Sequence, residues 1–232
     1  MNPIPEPSPD AALNTRALFR QTIWVWFFTM LATRGIYELQ RIPFVHENMM
    51  LFTGVLLIYV PILVLWLRKE RMDFFETSWG QLARSIGSFL LLAAIIFPVI
   101  EIGNRWFQGT FFHRHYVGGH YEGLAKAALF QVLLVGIPEE FFYRGYMQTQ
   151  FNRVLGKPFR LFGTPIGWGL LLTSFLFALS HSMIVLRWWH FSIFFPSLAF
   201  GWLREKTDAI TAGALFHALC NVYSFWVAMN YR

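Results

Sequence analysis

The sequence predicts an all-α fold, a polytopic transmembrane helical bundle of about seven spans. Only 14% of its 232 residues are charged, against about 25% in an average soluble domain, so the chain cannot clothe itself in a solvated surface. Apolar stretches recur along it. One of them, residues 49–67, is almost wholly apolar and long enough to cross a hydrocarbon core of about 30 Å. Trp24, Trp66, Trp106, Trp188, Trp189 and Trp202 fall at or near the ends of such stretches, where an interfacial aromatic belt would put them.

Taken in order, residues 1–15 read as a disordered N-terminal tail. Pro3, Pro5, Pro7 and Pro9 alternate with mostly polar residues, and the segment lacks the basic start and cleavage site of a signal peptide. Residues 16–120 read as N-terminal transmembrane helices with an interfacial segment. The first span, residues 22–33, follows Arg16 and Arg20 and reads as an uncleaved anchor. The second is residues 49–67 and the third residues 88–102. Between them, residues 69–84 mix Phe74, Phe75, Trp79 and Leu82 with charges, the pattern of a segment lying on the membrane surface. Residues 110–121 are polar and hold His113, His115 and His120. No carboxylate or cysteine is spaced with them as a metal site requires, so they read as a solvated loop. Residues 121–232 hold four more spans, at 124–142, 165–178, 191–203 and 210–229, and with them the polar motifs below.

A net charge of +6 could suggest nucleic acid, but the basic residues are scattered through the inter-span loops. That distribution fits anionic lipid and the positive-inside rule, so the partner is a bilayer and not a nucleic acid. The N-terminal side collects Arg16, Arg20, Arg68, Lys69, Arg71, Arg84, Arg153, Lys157, Arg160, Arg204 and Lys206. The other side collects Arg34, Arg41, Arg105, Arg114, Arg187 and Arg232. The bias predicts a cytoplasmic N-terminus and an external C-terminus. A single cysteine, Cys220, excludes an intramolecular disulfide and reads as a small apolar helix residue.

The fourth span is the anomaly. It carries Pro138, Glu139, Glu140 and Arg144 inside an apolar run. Each charge costs roughly 2.5–3.5 kcal/mol at the bilayer centre. Pro138 donates no hydrogen bond to the Leu134 carbonyl, and membrane helices tolerate this where a protein-lined cavity takes the freed group. Glu140 and Arg144, four residues apart, share a helix face and can pair. Glu139 points about 100° away and needs another partner. His181 ends an apolar segment, and His217 and Asn221 share one face of the last span. A lone histidine on an apolar helix is usually a satisfied core residue. Two histidines, an asparagine and a spare glutamate within the membrane are candidates for function.

A carboxylate beside an imidazole can take a proton from water and deliver it to a leaving amine. A neutral His N–H and an Asn amide can donate to a developing oxyanion. The same Glu139, His181 and His217 could instead ligate zinc and leave one position for water. Either arrangement points to hydrolysis. On straight helices the three side chains fall at different depths, which tilt, the Pro138 disruption or a later start of the fifth span would reconcile.

The motifs Glu139-Glu140-x-x-x-Arg144, Phe177-x-x-x-His181 and His217-x-x-x-Asn221 occur in order across about residues 124–221. In this the chain resembles the CAAX-protease and bacteriocin-processing (Abi-type) family of intramembrane endopeptidases, which includes the prenyl-protein CAAX endopeptidases. The resemblance implies a glutamic-type intramembrane protease, with Glu139 as general base, His181 helping to activate water, His217 and Asn221 as the oxyanion site, and Glu140 and Arg144 holding the geometry. It implies no required cofactor, zinc remaining the alternative. The implied partner is a protein substrate with a membrane-associated or lipidated C-terminal region, and the implied location a bacterial cytoplasmic membrane. One departure stands out. Gly201 fits the second of two small positions before the last motif, but Ser197 occupies the first. A non-catalytic immunity or scaffold protein of the same fold is the competing reading. A transporter ranks below both, because the chain shows no related halves.

Overall fold

The structure, a computed structural model, describes residues 9–232. Of the tail expected at residues 1–15, residues 1–8 lie outside the described residues, and the first helix already begins at Pro9. Seven helices follow in the described residues, one for each apolar segment. They are α1 (Pro9–Glu38), α2 (Pro43–Leu67), α3 (Trp79–Phe111), α4 (residues 124–155), α5 (Trp168–Val185), α6 (Phe194–Thr207) and α7 (Thr211–Asn230). A short antiparallel ribbon, β1 (Phe159–Leu161) and β2 (Thr164–Ile166), joins α4 to α5, with Arg160 opposite Pro165.

The fold is the all-α membrane bundle expected. Four of the helices, α2, α3, α5 and α7, are long and apolar enough to cross a membrane. The others depart from that pattern for visible reasons: α4 carries the charged motif and α6 has only 14 residues. In α1 the hydroxyls of Thr22, Thr29 and Thr33 each donate to the carbonyl one turn back, which satisfies them without water. The most apolar stretch of α3 is not buried inside the protein at all, and Leu90, Leu91, Ile95, Val99 and Ile102 face outward. So much outward-facing apolar surface fits contact with lipid.

The chain ends and connections sort to two faces. Residues 68–78 meet the end of α4 and the α6–α7 turn: the Arg153 guanidinium bonds Glu70 at 2.5 Å and Ile210 N–H donates to the Phe74 carbonyl at 3.1 Å. On the other face the α3–α4 loop pairs with the C-terminus, His115 N–H to Arg232 at 2.8 Å and Val117 N–H to Asn230 at 2.9 Å. That backbone pairing organises the histidine-bearing loop. Also on this face, Arg34 of α1 donates to the Ile184 carbonyl near the end of α5.

The segment expected to lie on the interface divides in two. Trp79 opens α3 almost fully exposed, with Ser78 capping the helix through Gln81 N–H. Phe74 instead turns inward and is buried at 1% exposure. Its ring packs edge-on against Phe141 and lies so close to Gly145 that an added Cβ would come within 2.8 Å of it. The glycine after the arginine of the first motif therefore seats a loop residue in the core.

Glu70 ties this loop to α4. Burial pushes its carboxyl up, but hydrogen bonds from Arg68, Gln150 and Arg153 outweigh that and hold it below the ordinary value of 4.5. A depressed folded-state value means the unfolded chain binds this proton more tightly. The tie is fully present above the ordinary carboxylate value and is lost as pH falls through the lowered folded value. Thermal unfolding in detergent between about pH 6 and pH 3 should therefore show Glu70→Gln with a flatter acid limb than the parent chain. Parallel limbs would remove Glu70 from the account.

Candidate active site

The candidate site is assembled on α4, which is not a uniform helix. Its α-helical start, Leu124–Phe130, passes into a π-stretch over Gln131–Gly136, returns to α geometry over Ile137–Glu140, and enters a second π-stretch over Phe141–Gln148 before Thr149–Leu155. Ile137 N–H reaches back five residues to the Val132 carbonyl. The disruption expected at Pro138 thus takes the form of π-stretches flanking it, a feature frequent at functional sites. Gly54 of α2 closes over the spot. A Cβ there would lie 3.3 Å from both the Leu134 carbonyl oxygen and Pro138 Cγ, so a side chain would press on the helix where the Leu134 carbonyl lies.

Glu140 and Arg144 form the expected pair, Oε2 to Nε 3.3 Å, with both side chains wholly buried. Arg144 Nη2 also donates to the Ser197 carbonyl at 3.0 Å and to Ser197 Oγ at 2.7 Å. Its guanidinium lies over the Phe177 ring, 4.7 Å from the centroid. The serine that departs from the family pattern is therefore an arginine ligand. One turn on, Gln148 Nε2 donates to the Gly201 carbonyl at 3.0 Å and to Glu205 Oε1 at 2.6 Å. Glu140, Arg144 and Gln148 make a ladder on α4, and Ser197, Gly201 and Glu205 its counterpart on α6.

Helix α7 approaches α4 closely enough to bring His217 to Glu140. At Gly136 a Cβ would lie 2.7 Å from the Ala214 carbonyl oxygen, and at Gly213 one would lie 3.0 Å from Glu140 Oε2. With that clearance His217 Nδ1 sits 3.2 Å from Glu140 Oε1, and its ring stacks on Phe200 at 4.7 Å. A carboxylate paired with an arginine is an acceptor, so the nitrogen facing Glu140 carries the proton. His181 Nδ1 likewise meets the Phe177 carbonyl at 2.9 Å and can only donate to it.

Both imidazoles therefore turn Nε2 towards Glu139. His181 Nε2 is 3.9 Å and His217 Nε2 3.8 Å from Glu139 Oε2, a buried oxygen with no hydrogen-bond partner in the protein. The depth problem is resolved by the fifth helix. It begins at Trp168 and runs to Val185, so His181 lies a turn inside it. Asn221 is placed differently: its Nδ2 donates to Gln131 Oε1 at 2.8 Å, on the first π-stretch.

Glu139 and His181 line a cavity of about 370 Å³ between α1, α2, α4 and α5, whose other walls are largely apolar: Met49, Leu57, Leu134, Val135, Ile184 and Val185. Behind His181, Ser180 Oγ accepts from Trp26 Nε1 at 2.9 Å and from Tyr143 OH at 2.8 Å, and itself donates to the Leu176 carbonyl at 2.7 Å. These supports, with Gln131, are not visible as motifs. The α6 ladder, at spacing four opposite a spacing-four ladder on α4, is a signal the sequence does carry.

Fold and site together define an integral membrane protein with a buried polar centre built by α4, α5 and α7. Residues 121–223 match a family model described as type II CAAX prenyl endopeptidase Rce1-like. Over that segment the chain is similar to the CAAX-protease family, the resemblance that the three motifs carry. No curated protein and no solved structure shows a match.

Proposed function

We propose that the protein is an intramembrane endopeptidase that hydrolyses a peptide bond near the C-terminus or membrane anchor of a protein substrate. One observation carries the reading. A buried carboxylate oxygen without a partner faces two oriented imidazole nitrogens, and Glu139 and one of those histidines, His181, line an apolar cavity. A water placed there would donate one hydrogen to Glu139 and the other to an Nε2 lone pair, leaving its own lone pair for the scissile carbonyl. Glu139 takes the proton as the C–O bond forms, and passes it to the amine as the C–N bond breaks. The oxyanion falls to His217 and, through the amide hydrogen not given to Gln131, to Asn221. Because Glu140 holds a proton on His217 Nδ1, donation from Nε2 requires a second proton on that ring. The neutral ring first expected as donor would present only a lone pair.

Zinc is the second reading, and two features bear on it. Each histidine has the outer hydrogen-bond partner that zinc ligands usually have. The spacing favours neither reading: 3.8 and 3.9 Å fall between the separation of about 3.4 Å that tetrahedral zinc would set and the wider one that a bridging water would set. The metal-free reading is the one proposed because a carboxylate beside an imidazole can activate water without a metal, with the N-terminus in the cytoplasm of a bacterial membrane. Purified protein incubated with peptides bearing apolar or lipidated C-terminal tails should cleave one class of tail and should keep its rate after exhaustive chelation. Stoichiometric zinc whose removal abolishes cleavage would replace Glu139-activated water by a zinc site.

A further inference from the structure

The ladder of α4 and α6 ends at a second cavity, of about 410 Å³, which holds none of the motif residues. Its walls come from the last turns of α4 and α6 and from Asp73 in the loop before α3. Arg153, Lys157 and Asp208 among them are exposed, so the cavity opens to the outside. Two of its cations are matched within the protein, Arg153 by Glu70 and Lys157 by Glu205. Arg204 is the exception. It is only 8% exposed, yet its Nη2 has one long hydrogen bond, 3.4 Å to Thr149 Oγ1. Its Nη1 stands 3.8 Å from Asp208, and its Nε has no partner. A guanidinium has five N–H donors and keeps its charge, so burial leaves this one short of acceptors. Two acids on the same wall are short of donors. The Asp208 carboxylate meets only Arg204, and Asp73 has no hydrogen bond or ion pair among the described residues.

A ligand that completes this wall brings an anionic group for Arg204 and, beside it, a cation with N–H donors for Asp73 and Asp208. A simple anion would meet the two acids, and a simple cation would meet the buried arginine. Tryptophans mark the depth. Exposed Trp79 opens α3, and Gln81 two residues on donates to the Thr207 carbonyl at the end of α6, 3.2 Å away. Exposed Trp168 opens α5, directly after Gly167, where a Cβ would lie 2.1 Å from the Gly156 carbonyl oxygen at the end of α4. Trp202 Nε1 donates to the Leu161 carbonyl of the ribbon at 3.1 Å. Tryptophans gather at the level of lipid headgroups. We propose that the cavity binds the headgroup of a zwitterionic phospholipid with a primary ammonium, phosphatidylethanolamine. Its phosphodiester bonds the Arg204 guanidinium, a charge-assisted contact of the stronger kind, and its ammonium lies between Asp73 and Asp208. Glu205 lines the cavity and accepts from Gln148, so a headgroup seated here braces the end of the ladder. The proposal is independent of the chemistry at Glu139.

The full chain, purified in detergent, is titrated with phosphatidylethanolamine, phosphatidylcholine and phosphatidylglycerol of the same acyl chains. Binding of the first lipid is read by native mass spectrometry. Phosphatidylethanolamine is expected to bind about tenfold more tightly than either of the others. Phosphatidylcholine has no N–H for the acids, and phosphatidylglycerol has no cation. Arg204→Gln should weaken phosphatidylethanolamine about tenfold, because the phosphate loses a charged donor. A second variant, Asp73→Asn with Asp208→Asn, changes only exposed side chains and so keeps the test open if Arg204→Gln does not fold. It should bring phosphatidylethanolamine down to the level of phosphatidylcholine. Equal affinity for the three lipids would overturn the proposal. So would tighter binding of phosphatidylglycerol, which would make the cavity a plain anion site. A preference over phosphatidylcholine that survives the double variant, or phosphatidylethanolamine binding unchanged in a folded Arg204→Gln, would overturn it too. Glycerophosphoethanolamine lacks the acyl chains. If it competes at the lipid's own concentration, the ligand is a soluble phosphoethanolamine and the lipid assignment fails.

Discussion

Glu139→Gln is expected to remove cleavage while leaving the protein folded. The amide fills the same volume but cannot accept a proton from water, and loss of a general base costs about 10²–10⁴ in rate. The stability cost should be small because Glu139 Oε2 makes no hydrogen bond within the protein. The two Nε2 atoms stand 3.8 and 3.9 Å from it. Two measurements on one preparation check this: the rate on a cleavable tail, and the unfolding temperature in detergent. A variant that cleaves at the parent rate would end the assignment of Glu139. If the cellular phenotype instead survives a His181→Ala, His217→Ala double variant, the protein acts as a scaffold and the chemistry is not its function.

The division of labour inside the first motif was legible in the sequence because it depends only on helix geometry. Glu140 and Arg144 share a face at spacing four, and the structure pairs them at 3.3 Å. Glu139, turned away, needs partners from elsewhere, and the structure sets it opposite His181 and His217. The helix count followed from hydropathy in the same way, with four of the seven helices long and apolar enough to cross a membrane. What lay beyond reach depends on tertiary contact. Phe74 looks like an interfacial aromatic by its charged neighbours, and only the gap over Gly145 makes it a core residue. The π-stretches of α4 have no composition of their own, so Gln131 reads as an ordinary polar residue until it meets Asn221. The proton position on His217 is likewise set by a through-space neighbour, Glu140, 77 residues away in the chain. Ser197 shows a middle case. As a departure from a pattern it looked neutral, and in place it supplies two of the bonds that hold Arg144.

Those bonds make Arg144→Met the substitution with the largest expected effect on stability. The guanidinium is wholly buried, and breaking a buried ion pair by removing one partner costs about 3–5 kcal/mol. The loss here is compounded. Glu140 would keep its charge with only the His217 Nδ1–H to meet it, and the Ser197 carbonyl and hydroxyl would lose their donor. Arg144→Lys should not rescue the fold, because a lysine has no planar fork to serve Glu140 and Ser197 at once while lying flat on Phe177. Adding Glu140→Gln to Arg144→Met should recover part of the loss, since the stranded charge goes with its partner. The recovered double variant should nevertheless cleave poorly, because the carboxylate that orients the His217 ring through Nδ1 is gone. Unfolding temperatures for the two singles and the double give the coupling directly, and an Arg144→Met as stable as the parent chain would show that the pair contributes nothing. Set beside Glu139→Gln, the two outcomes are opposite in kind. Five residues apart on one helix, one side chain is expected to carry the reaction with little bearing on the fold, and the other to carry the fold and reach the reaction only through Glu140 and His217.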